Sequence, residues 1–211
     1  MDSFAERREL MVRRDIEARG ISDVRVLAAM RRVPRERFVP HQWRDDAYDD
    51  GALPIGARQT ISQPYVVAWM IDALDLPDDA RVLEIGTGSG YGAAVLAEIA
   101  AEVVTVERIA ELADQARAVL RELDYRNVVV VVGDGTLGYE ERAPYDGISV
   151  TAAAPEIPSS LLGQLAAHGR LVMPIGHRDG QELTVVVRDG DQFSRRAVGG
   201  VRFVPLIGEQ G

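Results

Sequence analysis

The stretch Arg81-Val82-Leu83-Glu84-Ile85-Gly86-Thr87-Gly88-Ser89-Gly90-Tyr91-Gly92 constrains this chain more than any other, because an apolar run closes on an acid and passes into a glycine-rich turn. Glycines at 86, 88 and 90 remove Cβ atoms where the backbone turns tightly with positive φ and where a ligand approaches the main chain. Ala93–Ile99 then reads as a helix, so the turn sits at a helix N-terminus. Strand, glycine turn and helix in that order build a nucleotide-type cofactor site.

The rest of the chain supplies the scaffold such a site needs. Strands are expected at Val103–Val106, Val128–Val132, Gly147–Val150 and Arg170–Met173, and helices at Ile109–Leu123 and Ser159–Ala167. This alternation predicts an α/β fold, a Rossmann-like, doubly wound and mostly parallel sheet covered by helices. Glu182–Arg188 and Gln192–Val204 flank Asp189-Gly190 and predict an antiparallel C-terminal hairpin at the sheet edge. Extra N-terminal helices are expected over Ser3–Arg19, ending at Gly20, and after Ser22-Asp23; another starts at Ser62-Gln63-Pro64. Between them, His41–Thr60 is rich in Asp, Gly and Pro and reads as an ordered, irregular loop. One domain is expected, with N-terminal helices and a substrate loop over 1–62, a cofactor-binding core over 63–175 and the hairpin over 176–211.

Composition removes several chemistries. The absence of cysteine excludes thiolate nucleophiles, disulfides and cysteine zinc sites, and three scattered histidines, His41, His168 and His177, lack metal-ligand spacing, so no metal is expected. There is no lysine, which removes protein Schiff bases and the lysine of a phosphate-binding P-loop. The net charge of −9 argues against broad nucleic-acid binding, and the arginines crowding the first 44 residues alternate with acids as on solvated helix faces. No apolar run spans a bilayer and the first residues carry no signal-peptide core, so a cytoplasmic, monomeric protein with no membrane partner is expected.

The glycine spacing chooses between cofactors. A dinucleotide fingerprint starting at Gly86 would need glycine at position 91, where Tyr91 stands. The run G-x-G-x-G-x-G with Glu84 two residues upstream resembles motif I of the class I S-adenosylmethionine-dependent methyltransferases. Glu107, about twenty residues on, stands where a carboxylate accepts ribose hydroxyls, though it could equally be an acid stabilising the following helix dipole. Asp134, between Gly133 and Gly135, could accept from the adenine amino group or form a plain turn.

The acceptor is narrowed by elimination. The segment after the fourth strand, Thr151-Ala152-Ala153-Ala154-Pro155, lacks an amide for an exocyclic amine, and methylation of base carbon lacks its cysteine. A carboxylate is already ionised at neutral pH and attacks a sulfonium methyl without a general base.

Leu53-Pro54-Ile55-Gly56, Gln59-Thr60-Ile61-Ser62-Gln63-Pro64-Tyr65, the Gly86 turn, Gly133-Asp134-Gly135, Ala143-Pro144-Tyr145-Asp146 and Thr151 through Pro158 occur in the order that resembles the protein-L-isoaspartate O-methyltransferases. The resemblance runs from about Arg19 to Leu206. It implies repair of isoaspartyl proteins and peptides: the α-carboxylate of an L-isoaspartyl residue is methylated by S-adenosyl-L-methionine, leaving S-adenosyl-L-homocysteine, and the ester closes to a succinimide that partly hydrolyses to aspartate. It further implies Ser62 as the active-site serine. Glu84, Gly86, Thr87, Gly88, Ser89, Gly90, Glu107, Asp134 and Gly135 are implied to line the cofactor, and Thr60, Ile61, Val204 and Pro205 to hold the isoaspartyl peptide.

Three points stay open at this level. Ser62 before Gln63-Pro64 also fits an ordinary helix N-cap. Arg58 stands where relatives often carry glycine, either tolerated by the loop or altering peptide preference. The competing functions are methylation of another carboxylate or small metabolite, a non-catalytic cofactor-binding interaction module, and a nicotinamide dehydrogenase. The chain also holds five Asp-Gly pairs, and the Asp179 and Asp189 loops are candidates for isomerisation of its own backbone.

Overall fold

The computed structural model describes residues 3–177 and 180–211; Asp179 lies outside them. A seven-stranded sheet runs through the molecule in the order β5-β4-β3-β6-β7-β8-β9. Its strands are β3 (Arg81–Ile85), β4 (Glu102–Glu107), β5 (Val128–Val132), β6 (Tyr145–Val150), β7 (Leu165–His177), β8 (Gly180–Asp189) and β9 (Gln192–Val201). The pairs from β5 through β7 are parallel, and β8 runs antiparallel to both β7 and β9. The apolar runs of β3 and β4 follow from burial on both faces. Alternate side chains divide between two cores: Val82 and Val103 join one, and Leu83, Ile85, Val104 and Val106 the other.

Helices α3 (Pro64–Leu74), α4 (Tyr91–Ala97), α5 (Ala110–Glu122) and the short α6 (Ser159–Gly163) lie between strands, with α1 (Phe4–Met11) and α2 (Val24–Arg32) ahead of them. The first core draws on α1, α2, α3, α4 and β8 together, so the N-terminal helices, the central sheet and the C-terminal strands share buried apolar surface. The chain crosses from β3 to β4 to β5 on one side, then returns to β6 on the other side of β3. That reversal opens a crevice at the carboxyl ends of β3 and β6.

Several local expectations are corrected. The helix from Ser3 is regular only to Met11; it widens to a π-helical segment over Val12–Ile16 and tightens over Glu17–Arg19 before Gly20. The 41–60 stretch holds a 3-10 segment, His41–Asp46, and a hairpin of β1 (Leu53–Gly56) and β2 (Gln59–Ile61). Its tip residues, Ala57 and Arg58, take φ 49° and 59°, values normally marked in sequence by Gly or Asn, and so the hairpin carried no turn signal. The helix expected over Ser159–Ala167 stops at Gly163. Leu165 is fully buried and pairs with Tyr145, so the strand begins five residues ahead of Arg170.

Candidate active site

Two depressions meet at the carboxyl ends of β3 and β6. The smaller, about 480 Å³, runs over Ile85, Gly86, Gly88, Glu107 and Gly135. The larger is an open groove of about 1620 Å³ that takes in Ser62, Tyr65, Trp69, His177 and Phe203. Thr60, Thr151, Val204, Pro205 and Leu206 border both, so these five residues form the passage between them.

The glycine turn shapes the smaller cavity. Gly86 has φ 95°, and a Cβ there would come within 2.3 Å of Thr151 Oγ1. That hydroxyl donates to the carbonyls of Ile85 and Gly86 at 3.0 and 2.9 Å, which ties the end of β6 to the turn. The sequence motifs assign Thr151 no role; its position at the end of a strand beside the topological reversal is the signal that marks it.

Glu107 closes β4 and lies on the cavity wall. Its Oε2 accepts from the Gly88 N–H at 2.9 Å and its Oε1 from the Ile109 N–H at 3.0 Å. A carboxylate offers about four lone-pair sites, so each oxygen keeps capacity for a ligand hydroxyl. Arg108 lies on the same wall, and Arg58 reaches this cavity rather than the groove.

Five residues expected on the cofactor wall do not border the cavity. Glu84 is buried behind the turn: Thr105 Oγ1 donates to its Oε2 at 2.6 Å, and the Thr87 and Thr105 hydroxyls lie 2.6 Å apart. Burial pushes the Glu84 carboxyl up to about 8, against the pull of the Thr105 bond. Thr87 is likewise buried, facing Thr105, and Gly90 packs against Ala116 and Leu120 of α5. Asp134 caps the Gly135–Leu137 turn, accepting from the Thr136 N–H and hydroxyl, and its second oxygen accepts from the Glu209 N–H at 2.8 Å. Burial opposes its ionisation, but these bonds together hold the carboxyl below its ordinary range. Glu84, Thr87, Ser89, Gly90 and Asp134 thus lie off the cavity wall, whereas Gly86, Gly88, Glu107 and Gly135 are on it.

Of the peptide-holding set, Thr60, Val204 and Pro205 border both depressions. Ile61 does not: its side chain is buried in the first core, because β2 alternates faces and Thr60 takes the outer one. Ser62 lies in the groove. The N-cap of α3 is Gln63, with no side-chain cap bond, so Ser62 does not cap the helix. Along the groove wall the Arg19 guanidinium sits 3.5 Å above the Tyr65 ring, which stacks on Trp69.

Comparison with known proteins accords with this geometry. The family model described as protein-L-isoaspartate(D-aspartate) O-methyltransferase matches residues 6–211. A Methanoregula boonei protein-L-isoaspartate O-methyltransferase is 55% identical over 207 residues, covering 98% of this chain and 95% of that protein. One from Rhodopseudomonas palustris is 57% identical, covering 95% and 93%. A solved protein-L-isoaspartate O-methyltransferase superposes with TM-score 0.86 over 98% of this chain and 67% of its own, at 29% identity. A Plasmodium falciparum structure, described as a candidate protein-L-isoaspartate O-methyltransferase in complex with S-adenosyl-L-homocysteine, shares the fold at TM-score 0.80, with 24% identity over 95% of this chain and 98% of that one. With the family model matched across nearly its whole length and relatives above half identity, the chain belongs to the protein-L-isoaspartate(D-aspartate) O-methyltransferase family.

Proposed function

We propose that this chain transfers a methyl group from S-adenosyl-L-methionine to the α-carboxylate of L-isoaspartyl residues in damaged proteins and peptides. The observation that carries the reading is the junction: an open groove of about 1620 Å³ meets the glycine-turn cavity at Thr60, Thr151, Val204, Pro205 and Leu206.

The smaller cavity fits the cofactor in its chemistry. Glu107 offers spare acceptor capacity for a ribose diol, and Ile85, Val106, Ile109 and Leu206 supply apolar wall for a purine. When bound, S-adenosylmethionine supplies an electrophilic methyl group and departs as S-adenosylhomocysteine. The chain's own residues have then to align and shield the acceptor. Ser62 lines the groove, and in this reading its hydroxyl donates to one oxygen of the acceptor carboxylate once the peptide is bound. Val204, Pro205 and Leu206 give the passage an apolar wall. No general base is required, because the acceptor is ionised at neutral pH. Carboxylate and sulfonium both lose charge as they react, so a water-poor passage favours the transition state. The reading is of a monomer that needs no metal and acts on protein rather than nucleic acid, in keeping with the net charge of −9.

The test is methyl transfer to an isoaspartyl peptide and to its normal aspartyl counterpart. Transfer to the isoaspartyl form alone is expected. Equal transfer to both, or to neither, sinks the assignment.

A further inference from the structure

Arg35 heads the fully buried side chains, with 0% exposure, and it belongs to neither depression. It opens the short 3-10 turn Arg35–Arg37. Its Nε donates to the Ala47 carbonyl at 2.8 Å, and its Nη2 donates to the Ser62 carbonyl at 2.8 Å and lies 3.5 Å from that of Gly51. The guanidinium carbon sits 4.8 Å from the centre of the Tyr91 ring, and Nη1 has no partner among the described residues. Among those residues the oxygens it bonds within hydrogen-bond distance are main-chain carbonyls, and no carboxylate bonds it directly, although the Tyr91 side chain and the Asp50 charge favour its ionised form.

A buried cation without a bonded carboxylate is costly, and well-packed apolar side chains of similar volume generally serve stability as well or better. Burial lowers the guanidinium to about 10, so it still carries its charge at neutral pH. What an apolar side chain cannot do is hold separate carbonyls in a fixed plane. Here those carbonyls stand on either side of the β1–β2 hairpin: Ala47 and Gly51 before it, Ser62 after it. The plane rests on Tyr91, the first residue of α4 after the glycine turn. One side chain thus clamps both roots of the hairpin that brings Thr60 to the passage, and refers them to the helix behind the cofactor cavity.

We propose that Arg35 is a positioning residue for methyl transfer, fixing the Ser62 main chain so that its hydroxyl meets the acceptor carboxylate at the mouth of the cofactor cavity. This rests on the role given to Ser62 above. Lysine keeps the charge but loses the fork, and glutamine keeps a single donor nitrogen without the charge.

The experiment is a double-mutant cycle of Arg35→Lys with Ser62→Ala, repeated with Arg35→Gln, reading kcat and KM for an isoaspartyl peptide beside the affinity for S-adenosylhomocysteine. Arg35→Lys is expected to lower kcat by about tenfold or more through misplacement of Ser62, leaving S-adenosylhomocysteine affinity within about twofold. In the Ser62→Ala background the same change is expected to cost less than about twofold. A wild-type rate for Ser62→Ala ends the serine reading and the proposal with it. A slow Ser62→Ala enzyme in which the Arg35→Lys loss persists undiminished overturns the proposal alone, as does wild-type kcat in Arg35→Lys. If Arg35→Lys does not fold, Arg35→Gln is read by the same criteria; failure of both to fold in saturating S-adenosylhomocysteine would make Arg35 a folding element and reject the positioning role.

Discussion

The carboxyl of Glu84 lies directly against Gly92: a Cβ at position 92 would stand 2.2 Å from Glu84 Oε1. The acid of the glycine motif therefore buttresses the turn and the start of α4 from behind. Gly92→Ala is expected to destabilise the protein by about 1–3 kcal/mol through overpacking. Denaturant unfolding of the single and double variants checks the cause, since the loss should shrink when Glu84→Ala has removed the colliding carboxyl. A full and additive loss in that background would place the strain elsewhere.

Glu84 also predicts a pH dependence. Its folded value of about 8 lies above the ordinary 4.5, so the folded protein retains a proton that the unfolded chain releases first. Its contribution to stability is fully present below about pH 4.5 and is lost as pH rises to about 8. Glu84→Gln, neutral throughout, should therefore gain on the wild type across that window, by on the order of a few kcal/mol at its upper end. Melting temperatures of the two proteins at pH 5 and pH 8 measure it. A constant gap means that Glu84 is ionised in the fold.

Because Gln63 holds the N-cap position of α3 and Ser62 makes no cap bond to it, Ser62→Ala is expected to change stability by less than the roughly 1 kcal/mol that a lost cap costs. Turnover on an isoaspartyl peptide is expected to fall by about 10- to 100-fold from loss of acceptor alignment. Thermal melting and steady-state kinetics on one preparation separate the two effects. A lower melting point with normal turnover would return Ser62 to a structural role.

Glu107 is the acid that borders the cofactor cavity. Glu107→Gln should weaken S-adenosylhomocysteine binding by about 10- to 100-fold, the scale of a hydrogen bond to a charged group. Calorimetric titration reads this directly. Unchanged affinity would show that the ribose lies away from β4.

Arg58 occupies a left-handed conformation, φ 59°, at the tip of the β1–β2 hairpin. Arg58→Gly is expected to relieve that strain and stabilise the protein by up to about 1 kcal/mol, after the greater freedom glycine gives the unfolded chain. Since Arg58 borders the cofactor cavity and not the groove, any functional change should fall on S-adenosylhomocysteine affinity. A shift confined to peptide KM would contradict its placement.

The sequence alone determined the alternating α/β plan, the antiparallel C-terminal strands and the glycine turn, because these rest on local periodicity and on residues such as Gly86 that a tight turn requires. It also carried the order of motifs that resembles one methyltransferase family, including Thr60, Glu107, Val204 and Pro205 near the site. Only the tertiary structure decided which motif residues line the cavity. Glu84, Glu107 and Asp134 all read as acids lining the cofactor, yet Glu84 is buried behind the turn and Asp134 is engaged by Thr136 and Glu209, since strand facing and long-range partners leave no mark at the position itself. Ile61 turned inward for the same reason. Arg35 looked like one more arginine on a charged N-terminal segment; its burial against Ser62 and Tyr91 exists only once β1 and β2 fold back beneath the groove.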